Sequence, residues 1–208
     1  IIGEDGFAKS SLMRIANLAN VESTVFHRHF GNWEEFMDCF TRKYDYWFSD
    51  VVDSVEKNQC VEKEFSSTLH RLFDELNEDV IMQKLLKWEI HDANVITKRT
   101  ARMREFNTMP LIRHYQRALG ETDIRIGAVL ALLTGDIYFL VLHKDCSPLA
   151  GIDVNDESGR QEIHNAIDWF SKMLFSRPNE QNMKQNIADI LRSNGVSEDI
   201  IEDCCSLL

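Results

Sequence analysis

The amino-acid sequence predicts an all-α fold. The chain has 208 residues but only three Pro and nine Gly, so few positions interrupt a helix. Apolar residues recur at helical spacing, as at Leu12, Ile15, Ala16 and Ala19, which fall on one helix face. Hydrophobic residues make up 44% and charged residues 27% of the chain, which is typical of a folded globular protein. We therefore expect a small helical head followed by a larger helical body.

Two short helices are predicted near the start of the chain. The first runs from Ser10 to Val21 and the second from Glu22 to Phe30. The hydroxyl of Ser10 is expected to cap the first helix, because it can accept a hydrogen bond from an unpaired amide of the first turn. Asn20 is expected to end that helix in a left-handed conformation, which Asn tolerates better than most residues.

Residues 1–32 as a whole are expected to form a three-helix head that contains a helix-turn-helix. The segment Ile1 to Gly6 is predicted to be the end of a helix. Because the sequence starts with Ile rather than Met, we expect the beginning of that helix to precede Ile1. Two short helices that cross steeply can place the second helix in the major groove of DNA. A small helical hairpin without a role at DNA is the alternative.

Residues 33–57 are predicted to form one long helix that links the head to the body. The helix runs from Trp33 to about Lys57, a span of about 35 Å at 1.5 Å per residue. Its inner side carries a row of apolar side chains: Phe36, Phe40, Tyr44, Trp47, Val51 and Val55. A continuous helix of this length would connect the two parts rigidly.

Residues 58–208 are predicted to form an antiparallel helical domain that binds a ligand and dimerises. The segment Asn94 to Leu119 is expected to be helical but interrupted near Pro110, which lacks an amide hydrogen, and to stop at Gly120. Residues 144–158 are expected to form a loop. The other helices are predicted at Glu62–Leu76, Asp79–Ile90, Asp123–His143, Gly159–Phe175, Glu180–Ser193 and Ser197–Leu208.

The predicted helix from Asp123 to His143 is apolar nearly all round, so both of its sides need to be covered. One side can face the core and the other a second subunit, with a matching apolar stripe on the helix from Gly159 to Phe175. We therefore predict a four-helix homodimer interface that includes Leu133, Ile137, Leu140, Ile163, Ile167, Phe170 and Leu174. The alternative is that both helices belong to an internal core.

A ligand pocket is expected among large and polar side chains of the body helices. The candidates are Trp88, His91, Met103, Phe106, Tyr115, Asp136 and Phe139, and the alternative for each aromatic is a simple core position. Asp136 interrupts an apolar helix, and a buried carboxylate there would need a partner or a ligand. It can instead be a carboxylate at the edge of a subunit interface.

Several other functions find little support in the sequence. There is no P-loop, dinucleotide fingerprint or nucleophile elbow, so we expect no enzyme activity and no cofactor. His70, His91, His114 and His143 lack the spacing of metal ligands. The odd, scattered set of five Cys suggests reduced thiols and a cytoplasmic protein. The sequence has no uninterrupted apolar run of about 18 residues, so no membrane span is predicted.

A series of short motifs follows along the head at fixed spacing. They are Gly6-Phe7, Ser10-Ser11, Ile15-Ala16, Ala19-Asn20-Val21, Glu22-Ser23-Thr24-Val25-Phe26-His27-Arg28-His29-Phe30 and Asn32-Trp33-Glu34-Glu35-Phe36. This pattern resembles the head of the TetR (tetracycline repressor) family of bacterial transcriptional regulators. The resemblance covers about residues 1 to 40, and the rest of the chain is similar only in length and helical character. It implies a dimeric repressor that binds a palindromic DNA operator and responds to a small-molecule effector.

The resemblance also implies which residues contact DNA. The expected set is Ser10, Ser11, Arg14, Ser23, Thr24, Val25, His27, Arg28, His29 and Trp33. Three of these residues depart from the family pattern. Val25 occupies a position where the family usually has a Thr, His27 one where it usually has a Tyr, and Trp33 one where it commonly has a Lys. Glu22 also replaces a Ser at the helix start. Each change removes a neutral or positive phosphate contact or adds negative charge, so an unusual operator or weakened DNA binding is implied.

The charge of the chain bears on the same question. The net formal charge is -11, and residues 1–50 contain five basic and eight acidic side chains. A DNA-binding head is normally basic on its docking face. The leading interpretation is a ligand-responsive DNA-binding regulator. The alternative is a helical module of the same fold that binds a small molecule or a protein and has lost specific DNA binding.

Overall fold

Helices make up every named element of the structure, a computed structural model that describes residues 1–7, 10–53, 60–120, 124–176 and 180–206. The predicted all-α fold is therefore confirmed for this part of the chain. The helices are α1 (Ile2–Asp5), α2 (Leu12–Leu18), α3 (Ser23–Phe30), α4 (Trp33–Thr41), α5 (Trp47–Asp53), α6 (Val61–Glu78), α7 (Val80–His91), α8 (Val95–Leu119), α9 (Ile126–His143), α10 (Glu157–Phe175), α11 (Glu180–Ser193) and α12 (Glu198–Ser206).

The connection between head and body is not the single helix that the sequence predicts. The structure divides it into α4, a 3-10 turn at Arg42–Tyr44, and α5. Residues 54–57 of the predicted helix lie outside the described part of the chain. Thr41 at the end of α4 donates its hydroxyl to the carbonyl oxygens of Met37 (2.9 Å) and Asp38 (3.2 Å). Bonds of this kind loosen the regular hydrogen-bond ladder of a helix.

Several side chains of the 3-10 turn and of the start of α5 are buried. These side chains are Tyr44, Asp45, Trp47 and Phe48. Asp45 is held by Arg99 of α8, whose Nη1 lies 2.5 Å from the Asp45 carboxylate. One short segment therefore buries aromatic side chains and a paired carboxylate together.

α8 is the second departure from the prediction, since it runs from Val95 to Leu119 without an interruption at Pro110. Proline removes one amide and crowds the carbonyl four residues earlier, here that of Phe106. Phe106 and Pro110 are both exposed, so solvent can hydrate that carbonyl. The helix is also fixed at its start, where the Asn94 side chain accepts hydrogen bonds from the amides of Ile96 and Thr97.

α6 lies at the centre of the body and packs against α5, α7, α8, α9 and α10. Its inner face supplies the most deeply buried side chains of the core, Phe65, Leu69, Leu72, Phe73 and Leu76. α1 packs against α7 and α4 against α8, so the head sits directly on the body. α11 and α12 pack against each other.

α9 is apolar on most of its surface. Within the described part of the chain it is the one helix that is long and apolar enough to cross a membrane, although core helices of other proteins meet the same criteria. Its buried residues, Ile126, Leu130, Ile137 and Val141, face the body. Leu132 and Phe139 on its other side remain exposed.

Candidate functional site

The turn between α2 and α3 has the conformation that the sequence predicts. Asn20 adopts a φ of 53°, in the left-handed region. This conformation brings the amide of Val21 to the carbonyl oxygen of Ala16, at 2.9 Å. Ala16 is 2% exposed, and its small side chain allows α3 to approach α2 closely. Local sequence therefore fixes how the second short helix sits on the first.

Aromatic packing fixes which face of α3 points inward. Phe26 is buried, and its ring centroid lies 4.9 Å from that of Phe30 and 4.8 Å from that of Phe36 on α4. The opposite face of α3 is exposed to solvent. It carries the predicted DNA-binding residues Ser23, Thr24, Val25, His27, Arg28 and His29.

Two side chains of this exposed face make local hydrogen bonds. The Thr24 hydroxyl donates to the Glu22 carboxylate at 3.3 Å, and His27 Nδ1 lies 2.9 Å from the carbonyl oxygen of Gly31. His27, Arg28 and His29 occupy the last turn of α3, next to the negative end of the helix dipole. The end of α3 therefore presents one permanent cation between two imidazoles.

The other predicted DNA-binding residues lie in different environments. Ser11, rather than Ser10, caps α2, because its side chain accepts a hydrogen bond from the Arg14 amide at 3.4 Å. Ser10 is buried, and its hydroxyl donates to the carbonyl oxygen of Gly6 at 2.8 Å. The guanidinium of Arg14 is exposed but forms an ion pair with Asp5.

Trp33 is half-buried rather than fully exposed. Its ring lies 5.6 Å from that of Phe36, between ring centroids, and the side chain packs against the core. The structure thus brings the α3 residues, Ser11 and Arg14 to the surface of the head. It does not bring Ser10 to that surface, and it places Trp33 at the junction of head and body.

The predicted ligand-binding residues do not converge on one site. Tyr115 is fully buried, its hydroxyl lies 2.9 Å from the Thr68 hydroxyl, and burial raises the pKa of Tyr115 to about 12. Phe106, Asp136 and Phe139 are exposed, and Met103 is half-buried. The sequence pattern marks these side chains as large or polar, but it cannot tell which face of each helix is turned inward.

Trp88 and His91 line a cavity at the junction between head and body. The cavity measures about 920 Å³ and also borders Phe7 and Trp33. Trp88 stacks on Phe7, with ring centroids 4.9 Å apart and an angle of 6° between the planes. Trp88 therefore holds the head to α7, and these two residues stand apart from the other five candidates.

A second cavity, of about 430 Å³, lies between α8 and α9. Phe48 of α5 and Leu86 of α7 also line this cavity, and both side chains are buried. Small residues on the two helices make room for it: Ala101, Gly127, Ala131 and Gly135. None of the sequence-predicted ligand residues lines this cavity. The spacing of these small residues is the signal that could have located it.

A buried ion pair forms the polar part of the α8–α9 cavity. Arg104 is 7% exposed, and its Nη2 pairs with the carboxylate of Glu89. The Thr100 hydroxyl donates to the other Glu89 oxygen at 2.6 Å. Arg104 Nη1 is buried and has no hydrogen-bond partner within the described residues. Tyr138 lies beside the guanidinium, and burial raises the pKa of its hydroxyl.

The predicted dimer residues divide into two groups. Ile137 and Ile167 are buried in the core of their own chain, so a second subunit cannot reach them without a rearrangement. Leu133, Leu140, Ile163, Phe170 and Leu174 are half-buried. The large apolar side chains that α9 and α10 leave exposed are Leu132, Phe139, Trp169 and Met173. The apolar stripes therefore face the core more than the sequence pattern indicates.

Among the described residues, no group of three or more His, Cys, Asp or Glu side chains is arranged to hold a metal ion. No protein-family model, curated protein or solved structure matches this chain.

Proposed function

We propose that this chain is a ligand-responsive DNA-binding regulator that acts as a homodimeric repressor. One observation carries the proposal. A short helix, α3, seats its aromatic face on α2 and α4 and turns Ser23, Thr24, His27 and Arg28 to solvent. A helix held in this way can enter the major groove and present polar side chains to base edges and phosphates.

A direct contact between α8 and the segment that links the head to the body supports regulation by a ligand. Arg99 of α8 pairs with Asp38 at 2.6 Å, and its Nη2 donates to the Thr41 hydroxyl at 2.9 Å. Asn107 of the same helix donates to the carbonyl oxygen of Asp45 at 2.9 Å. A molecule between α8 and α9 would shift α8 and, through these bonds, α4 and the head. A coupling of about 1–3 kcal/mol would change DNA affinity about five- to 150-fold.

The exposed apolar residues of α9 and α10 support a dimer. A second copy of the chain would cover Leu132, Phe139, Trp169 and Met173 and remove them from water. Two heads about 34 Å apart would then read the two halves of a palindromic operator.

The experiment that tests the proposal is selection of a bound sequence from random DNA duplexes at about 150 mM salt. We expect a palindrome to be enriched. Arg28→Ala should abolish binding of the selected duplex while the dimer stays intact, because this exposed cation is placed to contact phosphate or a base. Arg117→Ala is the matched control, since Arg117 is exposed on α8, outside the head. Unchanged DNA affinity in the Arg28 variant would contradict the docking of α3.

A helical binding module without operator binding is the second candidate. The Arg14–Asp5 ion pair favours it, because this pair neutralises one of the few cations of the head. Glu22 at the start of α3 adds a negative charge to the same face. In that case the selection would enrich no sequence, although the dimer would still form.

A further inference from the structure

We propose that the cavity between α8 and α9 binds a neutral, mainly apolar molecule whose carbonyl oxygen accepts a hydrogen bond from Arg104. The inference deepens the proposed function, because it names the chemical class of the effector. It rests on that function only for the effect of the ligand on DNA binding. Three properties of the cavity point to this class of ligand: its apolar walls, the buried Arg104 donor without a partner among the described residues, and the charges around it.

The walls of the cavity suit an apolar body. Phe48, Leu86 and Leu130 are buried on its inner side, and Leu111 and Ile112 line it from α8. The volume of about 430 Å³ lies in the range of pockets for small organic ligands. Such a pocket would hold a ligand mainly through the burial of apolar surface, with a few polar groups to orient it.

The guanidinium of Arg104 supplies a donor that the protein leaves unused. Its Nη2 pairs with Glu89, whereas its Nη1 is buried without a partner in the described part of the chain. A buried donor without an acceptor costs free energy. A ligand oxygen that accepts a hydrogen bond from such a donor therefore gains more binding free energy than an oxygen that only takes the place of a water molecule. Nη1 is closed to solvent and the Tyr138 hydroxyl interacts with the Arg104 guanidinium, so a ligand oxygen would reach Nη1 only by displacing the Tyr138 side chain.

The charges around the cavity favour a neutral ligand. Glu89 already neutralises Arg104, and Glu105 is a further carboxylate in the cavity wall. A carboxylate ligand would therefore meet two negative groups and one positive group at short range. An ammonium group would leave Arg104 Nη1 unsatisfied, because it has no acceptor to offer. A carbonyl oxygen satisfies the donor without adding charge.

A set of four probes with one carbon skeleton tests the ligand class. Isothermal titration calorimetry would measure binding of phenylbutanone, phenylbutanoate, phenylbutylamine and butylbenzene to the full chain. We expect the ketone to bind about tenfold or more tightly than each of the other three, the gain of a hydrogen bond from a charged donor. Tighter binding of the acid or the amine, equal binding of butylbenzene, or no binding of the ketone would each overturn the proposal.

Two variants test whether the ligand is held where we propose. The double variant Arg104→Met with Glu89→Gln removes the donor without leaving a buried carboxylate unpaired. We expect it to bind phenylbutanone no more tightly than butylbenzene. Ala131→Leu fills the cavity and should weaken every probe at least tenfold, whereas Ala128→Leu, about one helical turn away and outside the cavity lining, should not. A ketone preference that survives in the double variant would overturn the assignment of Arg104.

The two levels of the proposal can fail separately. DNA binding of the protein without added probe is measured by the duplex selection, which does not depend on the cavity. Preferential ketone binding with no enriched DNA sequence would support the ligand class and contradict the regulator. An enriched palindrome with no ketone binding would support the regulator and overturn the ligand class.

Discussion

His70 of α6 and His164 of α10 meet edge to face, with ring centroids 4.4 Å apart. Each imidazole lies near a carboxylate, since His70 Nε2 is 3.2 Å from Asp168 and His164 Nε2 is 2.8 Å from Asp74. His70 Nε2 also lies 3.1 Å from the carbonyl oxygen of His164. The rings therefore join the two helices through a compact group of polar contacts.

We expect acid to destabilise the fold through His70. Burial lowers the pKa of His70 below its ordinary value of 6.5, and the nearby carboxylates and the His164 carbonyl offset this only in part. The folded state then binds fewer protons than the unfolded state, so stability falls as the pH drops through 6.5 and below. Urea unfolding at about pH 7.5 and about pH 5.5 would measure this loss.

His70→Gln tests the origin of that pH dependence. Glutamine keeps a donor for the His164 carbonyl but does not titrate, so the loss of stability between the two pH values should become smaller. His91→Gln, at an exposed position, should leave the loss unchanged. An equal loss in the His70 variant would show that other groups cause the acid sensitivity.

We expect Arg99→Met to destabilise the protein by about 2 kcal/mol. Arg99 is half-buried and pairs with both Asp38 and Asp45, so its removal leaves the buried Asp45 carboxylate without its cation. Arg42 pairs with the same Asp38 from an exposed position, so Arg42→Met should destabilise the protein much less than Arg99→Met. Chemical denaturation of both variants measures the difference, and equal losses would contradict the role of the Asp45 pair.

Much of the helix pattern could be predicted from the sequence, because its signals are local. The periodicity of apolar residues placed α6, α7, α9 and α10, and the conformation of Asn20 was predicted from its position at the end of a short helix. The break at Arg42–Tyr44 could not be predicted, because it accompanies contacts with Arg99, which lies far away in the sequence. The continuity of α8 through Pro110 depends in the same way on solvent exposure, which the sequence does not show.

The candidate functional residues show the same difference between local and long-range signals. The outward face of α3 could be predicted, because one inward aromatic residue, Phe26, sets the rotation of a short helix. The ligand residues could not, because long helices such as α8 carry apolar and polar groups on several faces. A charged residue such as Arg104 gives no sequence signal for an apolar cavity, because its burial depends on the pairing with Glu89.

We expect Gly159→Ala to destabilise the protein by about 1–3 kcal/mol. A Cβ atom at Gly159 would lie 1.9 Å from the carbonyl oxygen of Asp153, which belongs to the backbone and cannot simply rotate away. Gly135→Ala in α9 is the matched control, because a Cβ there meets no atom within 4 Å and alanine favours the helix. Thermal unfolding should therefore move in opposite directions in the two variants. A stable Gly159 variant would mean that the loop before α10 can shift without cost.

We expect the double variant Leu132→Asp with Trp169→Asp to convert a dimer to a monomer. Both side chains are well exposed in the single chain, at 70% and 64%, so the substitutions should barely change the core but would place charges in an apolar subunit interface. Ile190→Asp changes a similarly exposed residue on α11 and should leave the dimer intact. Light scattering after size-exclusion chromatography gives the mass of each variant, and circular dichroism checks the fold. A double variant that keeps the mass of a dimer would place the subunit interface on another surface, and with it the spacing of the two heads.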